Sequence, residues 1–150
     1  MADQSLIKRD LSIQRRFYRD GVITVKVPPG QRDTFKLTFK RLRRDLGLQV
    51  KFVKAPRKAD IICHWDDING DAGNAKNDGR RYRLYADPGH WYSDSVAVHE
   101  IGHALGLQHI SRRDSAMSYN RDYNNDYFFA EDLHAIAHVF DLPHRYSDFG

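Results

Sequence analysis

Apolar and polar residues alternate with a period of two over GVITVKVPP (Gly21–Pro29). Val22, Thr24 and Lys26 fall on one face and Ile23, Val25 and Val27 on the other, until a proline pair stops the run. That pattern predicts a strand. The spacing then changes to a helical one: Phe35, Phe39, Leu42 and Leu46 recur within residues 32–46, basic residues lie opposite, and Gly47 stands where a helix would be capped. LQVKFVKA and ADIICHW read as two more strands, and the order strand, helix, strand predicts a crossover unit in a mostly parallel sheet. DDINGDAGNAKNDG (Asp66–Gly79) is almost entirely turn formers and predicts a loop. RYRLYAD (Arg81–Asp87) resumes as a strand, placed near a sheet edge by its two arginines. Ser93 or Asp94 is positioned to cap a helix running to about Leu105. After a loop-rich stretch, AEDLHAIAHVF (Ala130–Phe140) forms a last helix ended near Pro143. The class is α+β, with an α/β-like N-terminal half. Residues 1–20 are polar and basic, at most a short helix with no clear claim on the core. They are read as a basic extension ahead of a single domain over 21–150.

Length and composition narrow the picture. The 150 residues suffice for one domain whose core needs no covalent staples. With 41% hydrophobic and 29% charged residues the chain is globular rather than disordered. No apolar run approaches membrane-spanning length, and the start MADQSLIKRD lacks the apolar core of a secretory signal. Neither membrane nor secretion is therefore expected, which leaves the cytoplasm or a larger assembly by default. Cys63 is the sole cysteine, so no intrachain disulfide can form, and its place in a strand reads as a buried small apolar residue. The net charge of +4 is unevenly spread: residues 1–60 hold 16 Lys/Arg against 6 Asp, and residues 61–150 hold 8 against 14 acidic residues. A basic half could suit nucleic acid or another polyanion. No aromatic-interleaved basic motif accompanies it, so a solvated helix face with charged ends is the preferred reading.

The chemistry is concentrated in HEIGHALGLQH, His99 to His109. On a helix His99 and His103 stand at i and i+4, so both imidazoles project from one face toward a single metal ion. Glu100 is offset from that pair and reaches a water on the metal rather than the metal itself. Gly106, lacking a Cβ, can take positive φ, end the helix and return His109 as a third nitrogen ligand. Three protein ligands and one open position is the pattern of a catalytic zinc, whereas structural sites usually close with four. Incidental surface histidines explain this poorly, since one of only two glutamates in the chain falls where a general base is required. His134 and His138 form another i,i+4 pair, but without a nearby Glu, Gly or third ligand they read as a partly exposed helix face. His64, His90 and His144 stand alone. Asp67, Asn69 and Asp71, with Asp78 beyond, space oxygen ligands as a Ca2+ loop does; the glycine, however, is at Gly73 instead of the expected earlier position, and calcium is the weaker reading.

The pattern H-E-x-x-H-x-x-G-x-x-H resembles the zinc signature of the metzincin metallopeptidases. SAMSY (Ser115–Tyr119) resembles that clan's Met-turn, with Met117 eight residues beyond His109, a short spacing similar to the matrixins. The wording HEIGHALGLQH, the ADI of the strand feeding the site and the position of the last helix are matrixin-like too, and the resemblance covers roughly residues 20–142. It departs at Ile110, where matrixins usually carry Ser, and at Met117-Ser118-Tyr119, a Met-x-Tyr order closer to astacins and serralysins. The segment that holds a structural zinc and calcium ions in matrixins is shortened to the 66–79 loop. No matrixin-type propeptide cysteine motif precedes the domain.

The resemblance implies a metzincin-type zincin fold: a twisted, mostly parallel sheet, an active-site helix, a Met-turn and a C-terminal helix. It implies one catalytic Zn2+ on His99, His103 and His109, with Glu100 as general base. Tyr119 would stabilise the tetrahedral intermediate, the alternative being a plain core aromatic, and Met117 would form an apolar floor under the histidines. Substrate would be a protein or peptide lying extended along an edge strand, with RYRLYAD as the rim. The pocket after the cut bond would be walled by NRDYNNDYFF and the last helix, whose aromatic residues imply an apolar preference. A zinc endopeptidase is the leading function. Against it stand a non-enzymatic zinc-bearing module of a larger assembly such as a virion, which would need neither Glu100 nor Tyr119, and a polyanion-binding protein. A protease without signal or propeptide would be restrained by narrow specificity, by residues 1–20 or by confinement in an assembly.

Overall fold

The computed structural model describes residues 4–67, 70–112 and 114–143. Five strands, β1 (Ile23–Lys26), β2 (Val50–Phe52), β3 (Ile61–Trp65), β4 (Gly73–Asn77) and β5 (Tyr82–Ala86), form one sheet in the order β2-β1-β3-β5-β4. The first four positions in that order are parallel, with Val25 opposite Phe52 on one side and Ile61 on the other, and Cys63 opposite Leu84. Helix α2 (Thr34–Leu46) makes the predicted crossover, burying Phe35, Phe39, Leu42 and Leu46 and ending at Gly47. Each such fully buried large side chain contributes about 1.5–3 kcal/mol, which is why the apolar stripe decides the helix's orientation. Helix α3 (Ser93–Ala104) packs on β5 and β4 and touches α2, and α4 (Ala130–Val139) is the last helix among the described residues. Among the described residues no helix is long and apolar enough to cross a membrane.

Three local expectations are corrected. The stretch read as an unbroken loop contains β4, whose sequence Gly-Asn-Ala-Lys-Asn has neither apolar alternation nor strand formers. It is a strand because β5 offers a free edge, and the antiparallel register from Gly73–Ala86 to Asn77–Tyr82 satisfies both backbones. It follows that RYRLYAD is an inner strand and β4 is the edge. At the start of α3 neither Ser93 nor Asp94 caps the helix; the flanking residue is Tyr92. Ser93 Oγ instead lies 2.5 Å from the carbonyl oxygens of Asp87 and His90, and Asp94 accepts the Thr34 hydroxyl at 2.6 Å.

The third correction concerns the N-terminal segment. Leu6, Ile7 and Phe17 are buried in the common core, and α1 (Ser12–Phe17) holds the last of them. Ile7 bridges Leu107, Lys8 N–H donates to Gly106 O at 2.8 Å, and Gln108 N–H donates to Leu6 O at 2.9 Å. The segment therefore braces the turn that leaves α3. Its isolated apolar residues carry no periodicity, so the local pattern could not reveal this.

Candidate active site

Helix α3 presents His99 and His103 on one face. Gly106 then turns the chain with φ of +96°, and His109 returns to the same point. The three Nε2 atoms form a triangle with sides of 3.1, 3.1 and 3.0 Å. Three ligands held tetrahedrally at the usual Zn–N distance of 2.0–2.1 Å would stand roughly 3.3 Å apart, so the donor set fits zinc. The second hydrogen bond of each ring supports this. His99 Nδ1 faces Ala116 O at 2.9 Å and His103 Nδ1 faces Leu107 O at 3.0 Å. A carbonyl can only accept, so both Nδ1 atoms must carry the proton and both Nε2 atoms keep a free lone pair. Lone pairs pressed this close repel one another unless a cation lies among them. No other His/Cys/Asp/Glu group among the described residues is gathered in this way.

The support beneath the histidines is built from the Met-turn. Met117 is fully buried, and a Cβ on Gly102 would lie 2.3 Å from its Sδ, so α3 can rest on the Met-turn only because residue 102 has no side chain. Asp132, at the third position of α4, fastens this turn to the helix. Its carboxylate accepts Ser115 Oγ at 2.6 Å and the N–H groups of Ala116 and Phe129 at 2.8 and 2.9 Å. Burial raises the Asp132 carboxyl, against the pull of these hydrogen bonds. Because His99 bonds to Ala116 O, Asp132 is linked through that one residue to a candidate ligand.

A cavity of about 690 Å³ opens over the triangle. Glu100 is only 6% exposed and lines it, making no hydrogen bond among the described residues. Burial pushes its carboxyl up to about 8, partly offset by the Arg121 cation. Gly73 of β4 lies against it: a Cβ there would come 2.7 Å from Glu100 Oε2. Gly73, Ala75 and Asn77, alternate residues of the edge strand, all face the cavity. Tyr119 lines it as well and is 65% exposed; its hydroxyl stands 3.0 Å from His109 Nδ1, behind the ring rather than at the triangle.

Burial and mutual repulsion make the histidines hard to protonate. Burial takes His99 down to about 3 and His103 down to about 4, each with a neighbouring histidine adding to it, and His109 is lowered too, mainly by burial and by Arg121. Below the ordinary imidazole value of 6.5 the unfolded chain thus binds more protons than the folded one, and stability is lost on acidification. Glu100 acts with the opposite sign: raised from 4.5 to about 8, it costs stability as pH rises through that range. Three groups outweigh one below 6.5 and Glu100 prevails above it. The metal-free protein should therefore melt at its highest temperature near about pH 6.5. Thermal melts with a chelator across acid and alkaline buffers check this, and a melting point that climbs steadily toward acid would contradict it.

The weaker sequence signals resolve differently. His134 is 2% exposed while His138 faces solvent, so the pair is split between core and surface rather than sharing a partly exposed face. Cys63 is buried, as its strand position implies, and burial raises its thiol. His64 stacks on Tyr85 and His90 lies 3.4 Å from Asp87. His144 and Asn69 lie outside the described residues. Asp67, Asp71 and Asp78 form no metal-ready cluster; Asp78 instead accepts the N–H groups of Arg80 and Arg81 in the turn between β4 and β5. Of the expected pocket wall, Arg121 and Tyr123 line the cavity, whereas Tyr127 and Phe128 are buried in the core and α4 contributes no lining residue. Arg121 and Asp132 fall within the stretches expected to wall the pocket, but the sequence assigns neither a role of its own. Only the acidic first turn of α4 hinted at the second.

No curated protein matches the chain. Residues 81–141 match the Matrixin family model. That stretch takes in all three histidines and the Met-turn beneath them, an arrangement that fits a zinc metallopeptidase. The match over residues 81–141 supports a matrixin-like metzincin catalytic domain.

Proposed function

We propose that the protein is a zinc-dependent endopeptidase. The observation that carries this reading is the convergence of three Nε2 lone pairs, two with their tautomer dictated by carbonyl partners, beside a buried carboxylate in one cavity. His99, His103 and His109 would hold the ion. When bound, zinc supplies Lewis acidity, polarising a carbonyl and making a water easier to deprotonate. Glu100 receives the proton of the water attacking the scissile carbonyl and passes it to the leaving amine; it lies buried beside the triangle in the same cavity, where a positioned carboxylate can shuttle that proton. An extended peptide adds itself to the free edge of β4, where the alternate residues 73, 75 and 77 face the cavity.

The test is zinc analysis joined to cleavage of a broad peptide library, with and without a chelator. About one zinc per chain and internal cuts that disappear with the chelator and return with zinc are expected. A zinc-loaded protein that cuts nothing would turn the reading to a structural module of a larger assembly. Tyr119 is proposed as the group that stabilises the oxyanion, leaving His109 as charge develops. Tyr119→Phe should then lower turnover by ~100-fold with little change in KM, as removal of one such donor does. Loss of zinc with turnover per bound ion unchanged would make the hydroxyl a support for His109 instead.

A further inference from the structure

Arg121 is 7% exposed yet lines the cavity beside Glu100. Two of its nitrogens are anchored: Nε donates to Ser95 Oγ on α3 at 2.9 Å, and Nη1 donates to Ser118 O of the Met-turn at 2.8 Å. The guanidinium also lies over the Tyr123 ring, 4.2 Å from its centre. Nη2 has no hydrogen-bond partner among the described residues, and no carboxylate among them comes within ion-pair distance of the side chain. Glu100 and Asp71 line the same cavity without pairing with it. A buried cation lacking a counter-ion is costly, and this one lines the cavity anchored through Nε and Nη1, with Nη2 left unpaired among the described residues. Tyr92, Tyr123 and Val96 line the cavity beside it, so an anion bound there is partly shielded from water. A planar fork of N–H groups is best matched by a carboxylate, which accepts two parallel hydrogen bonds.

We infer that Arg121 is a specificity residue that receives a carboxylate of the substrate, an acidic side chain next to the scissile bond. This rests on the peptidase reading for its substrate and departs from the apolar preference expected of the same stretch. A terminal carboxylate carries the same chemistry, and the experiment separates the two sources.

Binding is measured by calorimetry on zinc-loaded wild type with matched peptide hydroxamates. Their side chain next to the zinc-binding group is glutamate, glutamine or leucine, each prepared as C-terminal acid and as amide. The glutamate compounds should bind about tenfold or more tightly than the glutamine ones, the difference between a charge-assisted and a neutral hydrogen bond. Dependence on the C-terminal acid alone would keep the carboxylate and assign it to a chain end. Equal binding, or tighter binding of leucine, overturns the inference. In Arg121→Met the glutamate preference should vanish, and in Arg121→Lys it should shrink while zinc content stays unchanged; a preference undiminished in Arg121→Met also overturns it. Should Arg121→Met fail to fold, the wild-type ranking and the lysine variant still decide. Cleavage is scored separately: hydrolysis without acidic preference sinks the inference alone, whereas a glutamate preference without hydrolysis sinks the peptidase reading alone.

Discussion

Glu100→Gln should keep its zinc and its fold while losing ~100- to 10,000-fold of peptide hydrolysis, the range a positioned general base contributes. The folded state gives a reason to expect little structural cost. Burial raises this carboxyl to about 8, so in the metal-free protein at neutral pH it is largely uncharged, and a neutral amide of the same shape adds no buried charge. It makes no hydrogen bond among the described residues that the substitution would break, and the space beside Gly73 is unchanged. Zinc is held by imidazoles alone in this reading, so metal content should match wild type. The measurements are zinc per chain, melting temperature and kcat/KM on one cleaved peptide. Hydrolysis surviving at more than about a tenth of the wild-type rate would remove the base from Glu100.

His99→Ala, His103→Ala and His109→Ala should each abolish stable zinc binding, since in the proposed reading each histidine would supply one of only three protein donors. Their metal-free stabilities should nevertheless differ. His99 is buried, and its removal leaves the Ala116 carbonyl at the Met-turn without its imidazole partner; an unsatisfied buried acceptor costs about 1–3 kcal/mol. His103 also supports a carbonyl, that of Leu107, from a less buried position. His109 is exposed, and its outer nitrogen meets only the Tyr119 hydroxyl. The metal-free melting temperature should therefore fall most for His99→Ala and least for His109→Ala, while zinc is lost in all three. Full zinc occupancy in the three variants would refute the ligand assignment, and identical melting temperatures would refute the proposed support through the Met-turn.

Much of this was readable along the chain, and the reasons are local. Phe35, Phe39, Leu42 and Leu46 announce α2 because a helix repeats every 3.6 residues, and Ile23 and Val25 announce β1 because a strand repeats every two. Where the pattern misled, distant partners had overridden it. Gly73–Asn77 is a strand because β5 needed a neighbour, not because these residues favour strands. RYRLYAD looked like an edge for its arginines, yet it lies between two strands: the Arg81 side chain escapes toward the carbonyls of Ala59 and Arg57. Leu6 and Ile7 are core residues because the turn at Gly106 and Leu107 gives them backbone partners a hundred positions away.

The same division runs through the site. The candidate ligand set and base are written locally, because i,i+4 spacing, the offset of Glu100 and a glycine able to take φ of +96° operate within eleven consecutive residues. What surrounds them comes from the packing of distant elements. Asp132 reaches the Met-turn from 16 residues away, Arg121 reaches Ser95 from 26, and β4 brings Gly73 against Glu100. Such contacts form wherever two buried faces meet, and no local periodicity encodes which side chains that meeting will bring together.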